Sequence, residues 1–122
     1  MNTEEPENTD KDAVDWSIAR NLTGGDESLL DELVELFPGE SSKHAATIRK
    51  ACTVGDGDAL ERAAHTLKSS AKLFGARALA GCAQQIESLA SQARIDEVEA
   101  ILPGLDSEIE RVLLALNRRK EQ

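Results

Sequence analysis

His65, Lys68, Ser69 and Lys72 stand at i, i+3, i+4 and i+7 in the stretch AAHTLKSSAKLFGA, residues 63–76. Those are the spacings at which side chains on a helix become neighbours. A solvent-facing imidazole is a nucleophile in its neutral form, and an ordinary imidazole, with a pKa of about 6.5, is mostly neutral at pH 7. Ammonium groups beside such a ring attract the oxygens of a phosphoryl group once it is attached. A short side chain such as Ser69 leaves room for a partner protein to approach, and its hydroxyl can hydrogen-bond. The plain alternative is a solvated polar face, which most exposed helices carry.

Other site chemistries are not spelled out. His44 is the only other histidine, and no set of Cys, His, Asp and Glu has zinc spacing. The GDGD turn at 55–58 is not a calcium loop, because the twelfth position counted from Asp56 is Leu67, where a bidentate Glu is needed. Neither a glycine-rich kinase loop nor a P-loop occurs. The chain is therefore expected to use no cofactor of its own and not to phosphorylate itself from ATP.

The helix that must carry His65 runs from about Asp58 to Phe74 and ends at Gly75. At about 100° per residue, Leu60, Ala64, Leu67, Ala71 and Phe74 share a narrow arc that faces a core, and the four polar residues fall on the exposed side. Gly75 is expected to take a positive φ, and Gly75 and Ala76 to allow close packing where this helix hands over to the next. The next helix covers ARALAGCAQQIESLASQA, with Leu79, Ala83, Ile86, Leu89 or Ala90, and Ala93 on its stripe. In an antiparallel hairpin turning at Gly75, His65 lies ten residues before the turn and Glu87 twelve after it, at about the same height. Glu87 is therefore a candidate to hold one nitrogen of the ring. The alternative is a solvated carboxylate.

The remaining segments repeat the helical period. AVDWSIARNL gives a short first helix, stopped by Gly24-Gly25, and Asp26 caps the next. The second helix keeps its apolar phase across Pro38, which predicts a kink rather than a break. The fifth starts near Ile95 or Asp96 and keeps phase across Pro103-Gly104 to Leu116. No stretch alternates with period two. The expected fold is all-α: an antiparallel four-helix bundle preceded by a short N-terminal helix. A disordered acidic leader over 1–12, the bundle over 13–117 and a frayed polar tail over 118–122 complete the plan.

Composition narrows the partners. Net charge is −9 over 122 residues, and residues 1–15 hold six acids against Lys11. That sign argues against sequence-independent nucleic-acid binding and against docking on anionic membrane. No apolar run is long enough to span a bilayer, and the acidic N-terminus is no secretory signal. A cytoplasmic monomer is expected, with Cys52 and Cys82 as reduced thiols packed like small apolar groups.

AAHTLKSSAKLFGA closely resembles the signature of histidine phosphotransfer (HPt) domains, Ala-His-x-Leu-Lys-(Gly/Ser)-Ser followed by Gly-Ala. LTGGDESLLDELVELF, GDGDALERAAHTLK and ALAGCAQQIESLA extend the resemblance over roughly residues 13–116. Ser69 departs from the glycine common there, and serine is also small. The resemblance implies a carrier in multistep two-component phosphorelays. His65 would take a phosphoryl group from the aspartate of one receiver domain and pass it to another, with Lys68 and Lys72 steadying the group. The implied partners are response-regulator receiver domains and a hybrid sensor histidine kinase. The receiver is expected to bring the Mg²⁺. A helical adaptor that binds receivers or kinases without carrying phosphate stays open as the alternative.

Overall fold

The computed structural model describes residues 13–120; the expected disordered leader and the last two residues lie outside that range. Among the described residues five α-helices follow one another: α1 (Trp16–Leu22), α2 (Glu27–Val54), α3 (Gly57–Leu73), α4 (Arg77–Ser91) and α5 (Leu102–Lys120). A single 3-10 turn, Ile95–Glu97, sits between α4 and α5, and no strand occurs among the described residues. None of these helices is long and apolar enough to cross a membrane.

Local chemistry sets the boundaries. Asp15, Asp26 and Asp56 each precede a helix in extended conformation and accept a first-turn N–H, from Ser17, Leu29 and Ala59. Such caps are worth about 1 kcal/mol each. Gly55 closes α2 at φ 77°. Pro38 lies inside α2, which runs unbroken because Phe37 and Ser41 stay buried on either side.

Helices α2 to α5 form the antiparallel bundle, and α1 packs on one end against α2 and α3. Leu60, Ala64, Leu67, Ala71 and Phe74 all face inward with at most 1% of their surface exposed, as their arc predicts. Leu30, Ile48, Leu79, Ile86, Leu105 and Leu116 meet them from the other helices. Burying one such side chain stabilises the fold by about 1.5–3 kcal/mol. The three aromatic residues of the chain form one cluster: Phe74 packs edge-on against Phe37 at 5.4 Å and against Trp16 at 6.3 Å. Cys52 and Cys82 are free and half-buried. Burial pushes both thiols up, aided by Glu99 at Cys52 and by Glu108 at Cys82.

Two expectations fail at the C-terminal end. The fifth helix does not begin at Ile95 and pass through Pro103. It starts afresh at Leu102, after the 3-10 turn. Pro103 then lies in the first helical turn, where a missing N–H leaves no bond unmade. Nor does the chain fray from residue 118, since α5 continues to Lys120. Arg119 explains that: it pairs with Asp31 at 2.6 Å and Glu27 at 2.8 Å, and its guanidinium lies over the Trp16 ring at 5.2 Å.

Ala93 carries a positive φ of 61°, alone among the described non-glycine residues. It follows the Gln92 cap of α4, where Arg94 N–H donates to the Leu89 carbonyl at 2.8 Å. L-residues are strained there by about 1–2 kcal/mol. Ala93→Gly is therefore expected to stabilise the protein by about 0.5–1 kcal/mol, after glycine's entropy cost is deducted. A denaturant midpoint that stays put or falls would contradict this.

Candidate functional site

His65 sits midway along α3, on the side away from the core. The arc that buries Ala64 and Leu67 turns the imidazole outward, and its side chain is 58% exposed. Gly75 reverses the chain so that α4 returns alongside α3. Glu87 then lies at the height of His65, and its Oε2 is 2.8 Å from Nδ1 of the ring. The equal spacing from the turn thus becomes a contact, and Glu87 is not a solvated carboxylate: only 17% of its side chain is exposed.

The other carboxylate oxygen faces Lys68. Nζ of Lys68 is 2.7 Å from Glu87 Oε1, an ion pair whose angle falls outside hydrogen-bond geometry. The Lys68 ammonium foremost, and the His65 ring after it, hold the Glu87 carboxyl below its ordinary value, against the opposing effect of burial. Glu87 is thus ionised at neutral pH. An ionised carboxylate only accepts, so Nδ1 of His65 must carry the proton it shares with Glu87. Nε2 is left as the ring nitrogen with no partner among the described residues.

A depressed carboxyl makes a testable statement about stability. Its contribution is complete above the unfolded value, about 4.5, and is lost as pH falls through the lower folded value. Glu87→Gln is expected to lower the melting temperature at pH 7, with the deficit shrinking as pH drops below that range. A deficit that is constant from pH 7 to pH 3 would show that the charge is not what matters.

Lys68 corrects the sequence reading. It was expected on the open face beside His65, yet its side chain is only 13% exposed. Its place on α3, nearer the core arc than His65, lets the stem lie in the α3–α4 seam, where Glu87 and Gln84 draw the ammonium down. Gln84 is the residue that sequence reasoning missed. Its Oε1 accepts from Lys68 at 2.8 Å, and its amide donates to Ser88 Oγ at 3.0 Å. The signal was available: Lys68 is seven residues before Gly75 and Gln84 nine after, the same register that picks out Glu87.

Ser69 and Lys72 are exposed, as expected. Lys72 is two turns from His65, about 10 Å along the axis. It borders a depression of about 340 Å³ with an apolar floor from Ile18, Ala76 and Ala80, and Arg77 on its rim. Gly75 has the expected positive φ, 61°. Its tight neighbour is different from the expected one. A Cβ there would meet Asp15 Cβ at 2.6 Å, Asp15 O at 3.1 Å and Ile18 Cδ1 at 3.1 Å. The glycine makes room for the segment that leads into α1, not for α4. Among the described residues no three His, Cys, Asp or Glu side chains cluster as metal ligands would.

An exposed histidine with one nitrogen fixed by a carboxylate, on a helical bundle, defines a class that the comparisons identify. The Hpt domain family model matches residues 32–115, well over half the chain, and the protein belongs to that family. Its role is accordingly histidine phosphotransfer in a phosphorelay, and the family implies interaction with receiver domains. The fold is also that of the crystal structure of histidine-containing phosphotransfer protein B (HptB) from Pseudomonas aeruginosa. The TM-score is 0.83 at 22% identity, covering 89% of this chain and 95% of that one. No curated protein matches the sequence.

Proposed function

We propose that His65 accepts a phosphoryl group on Nε2 from the aspartyl phosphate of one receiver domain and passes it to the aspartate of another. The observation that carries this reading is the 2.8 Å contact between His65 Nδ1 and Glu87 in an otherwise open ring. As Nε2 bonds to phosphorus, the P–O bond to the donor aspartate breaks and its electron pair leaves with the carboxylate. The proton on Nδ1 stays, so the ring becomes cationic. Glu87, already ionised and fixed, offsets that charge where it develops. Transfer onward reverses these changes. The receivers bring the Mg²⁺, and this chain presents the nucleophile.

Lys68 reaches the captured group by leaving the α3–α4 seam, and Ser69 keeps the approach open. The depression beside Lys72 and Arg77 suits an apolar side chain of a docking receiver, flanked by acids. Lys68→Ala is expected to slow transfer about 10- to 100-fold, the worth of a hydrogen bond to a charged group. Lys72→Ala should cost no more than about fivefold, and that loss should vanish at high salt. Equal losses in the two variants would leave Lys68 without its special place.

The direct test is incubation with a phosphorylated receiver, followed by analysis of the linkage. Acid-labile, base-stable phosphate on the chain is the expected result. Receiver binding with no transferred phosphate would replace the carrier reading with the adaptor one.

A further inference from the structure

We infer that Gln84 is a positioning residue: it tethers the Lys68 ammonium in the α3–α4 seam and decides how readily that charge is released to a phosphoryl group on His65. The inference rests on His65 being the carrier. Lys68 Nζ has two partners, the Glu87 carboxylate, with Oε1 at 2.7 Å as an ion pair, and Gln84 Oε1, which accepts its hydrogen bond at 2.8 Å. Gln84, Glu87 and Ser88 are at i, i+3 and i+4 on α4 and so share a face. Ser88 Oγ takes the Gln84 amide at 3.0 Å, which turns the carbonyl oxygen toward Lys68.

The two partners are not equally easy to give up. Glu87 is charged, and after phosphorylation it must also face a cationic ring. Gln84 is neutral, and in this partly buried seam its hydrogen bond holds the ammonium less firmly than the carboxylate charge does. A phosphoryl group on Nε2 therefore draws Lys68 away from Gln84 first. Gln84 sets the cost of that movement. A weaker tether favours phosphohistidine, and a stronger one favours return of the group to a receiver or to water. In hydrolysis the P–Nε2 bond breaks, its electron pair returns to the ring, and water supplies oxygen to phosphorus, giving dihydrogen phosphate.

The experiment compares wild type, Gln84→Met and Gln84→Glu. Proteins are phosphorylated with phosphoramidate, a small-molecule donor, and in parallel with a phosphorylated receiver. Met keeps the shape without the acceptor and should slow phosphohistidine hydrolysis about tenfold; Glu holds Lys68 harder and should speed it about tenfold. Both effects should disappear in a Lys68→Ala background. Shifts of the same sign in both variants, or shifts that persist without Lys68, would overturn the inference. Exchange of the Lys68 ammonium protons with water, followed by NMR on the unphosphorylated proteins, reads the tether itself. It should quicken in Gln84→Met and slow in Gln84→Glu, and unchanged exchange would equally overturn the inference. Labelling by phosphoramidate but not by the receiver would count against the carrier reading alone.

Discussion

His65→Gln is expected to reduce phosphoryl uptake to background while leaving the fold intact. The ring is 58% exposed and buries no apolar core surface, so its loss should change stability by no more than about 0.5 kcal/mol. The Gln amide can still donate to Glu87, which avoids stranding a carboxylate in the seam. What disappears is Nε2, the ring nitrogen proposed to form the bond to phosphorus. Labelling with phosphorylated receiver and a thermal melt, run on one preparation, separate the two effects. His44→Gln serves as the comparison. His44 lies on α2, pairs loosely with Glu40 at 3.5 Å and is only 15% exposed. It should transfer at the wild-type rate. Substantial labelling of the His65 variant, or a tenfold loss in the His44 variant, would move the site elsewhere.

Gly75→Val, at a buried turn, should cost stability on the order of 3 kcal/mol or more. Two causes add. A β-branched residue at φ 61° is strained by about 1–2 kcal/mol. The Cβ would also sit 2.6 Å from Asp15 Cβ and 3.1 Å from the Asp15 carbonyl oxygen, so backbone must move. The segment cannot retreat cheaply, because Asp15 N–H donates to the Phe74 carbonyl at 2.9 Å and Val14 is buried. The strain should therefore undock the entry to α1 and open the Trp16–Phe74 contact, seen as a change in tryptophan fluorescence. Gly75→Ala should show the same change with a smaller loss. Unchanged melting and fluorescence in the Val variant would mean that the turn has another way to relax.

The sequence by itself determined several of the features that depend on neighbours along the chain. The acid cap at Asp26, the glycine stop at Gly75, and the arc from Leu60 to Phe74 follow from helical geometry, which has one period and one hand. His65 had to point outward for the same reason. Even the height of Glu87 followed, since a tight antiparallel turn pairs residues equidistant from it. Prolines were ambiguous: at 38 the helix continues and at 103 it begins, because Pro costs nothing in a first turn and only packing tells the two cases apart.

Only the tertiary structure decided where the long side chains rest. A lysine stem spans several ångströms, so the same helical position allows Lys68 to stand in solvent or to lie in the seam. Glu87 and Gln84, brought across from α4, choose the seam. Arg119 is the same case at the other end, where Asp31, Glu27 and Trp16 turn an expected frayed tail into the last turn of α5. The turn at Gly75 is legible in the sequence but its tight neighbour is not, because Asp15 approaches it from sixty residues away along the chain. Charge on a flexible stem finds partners through space, and helical period carries no record of who they are.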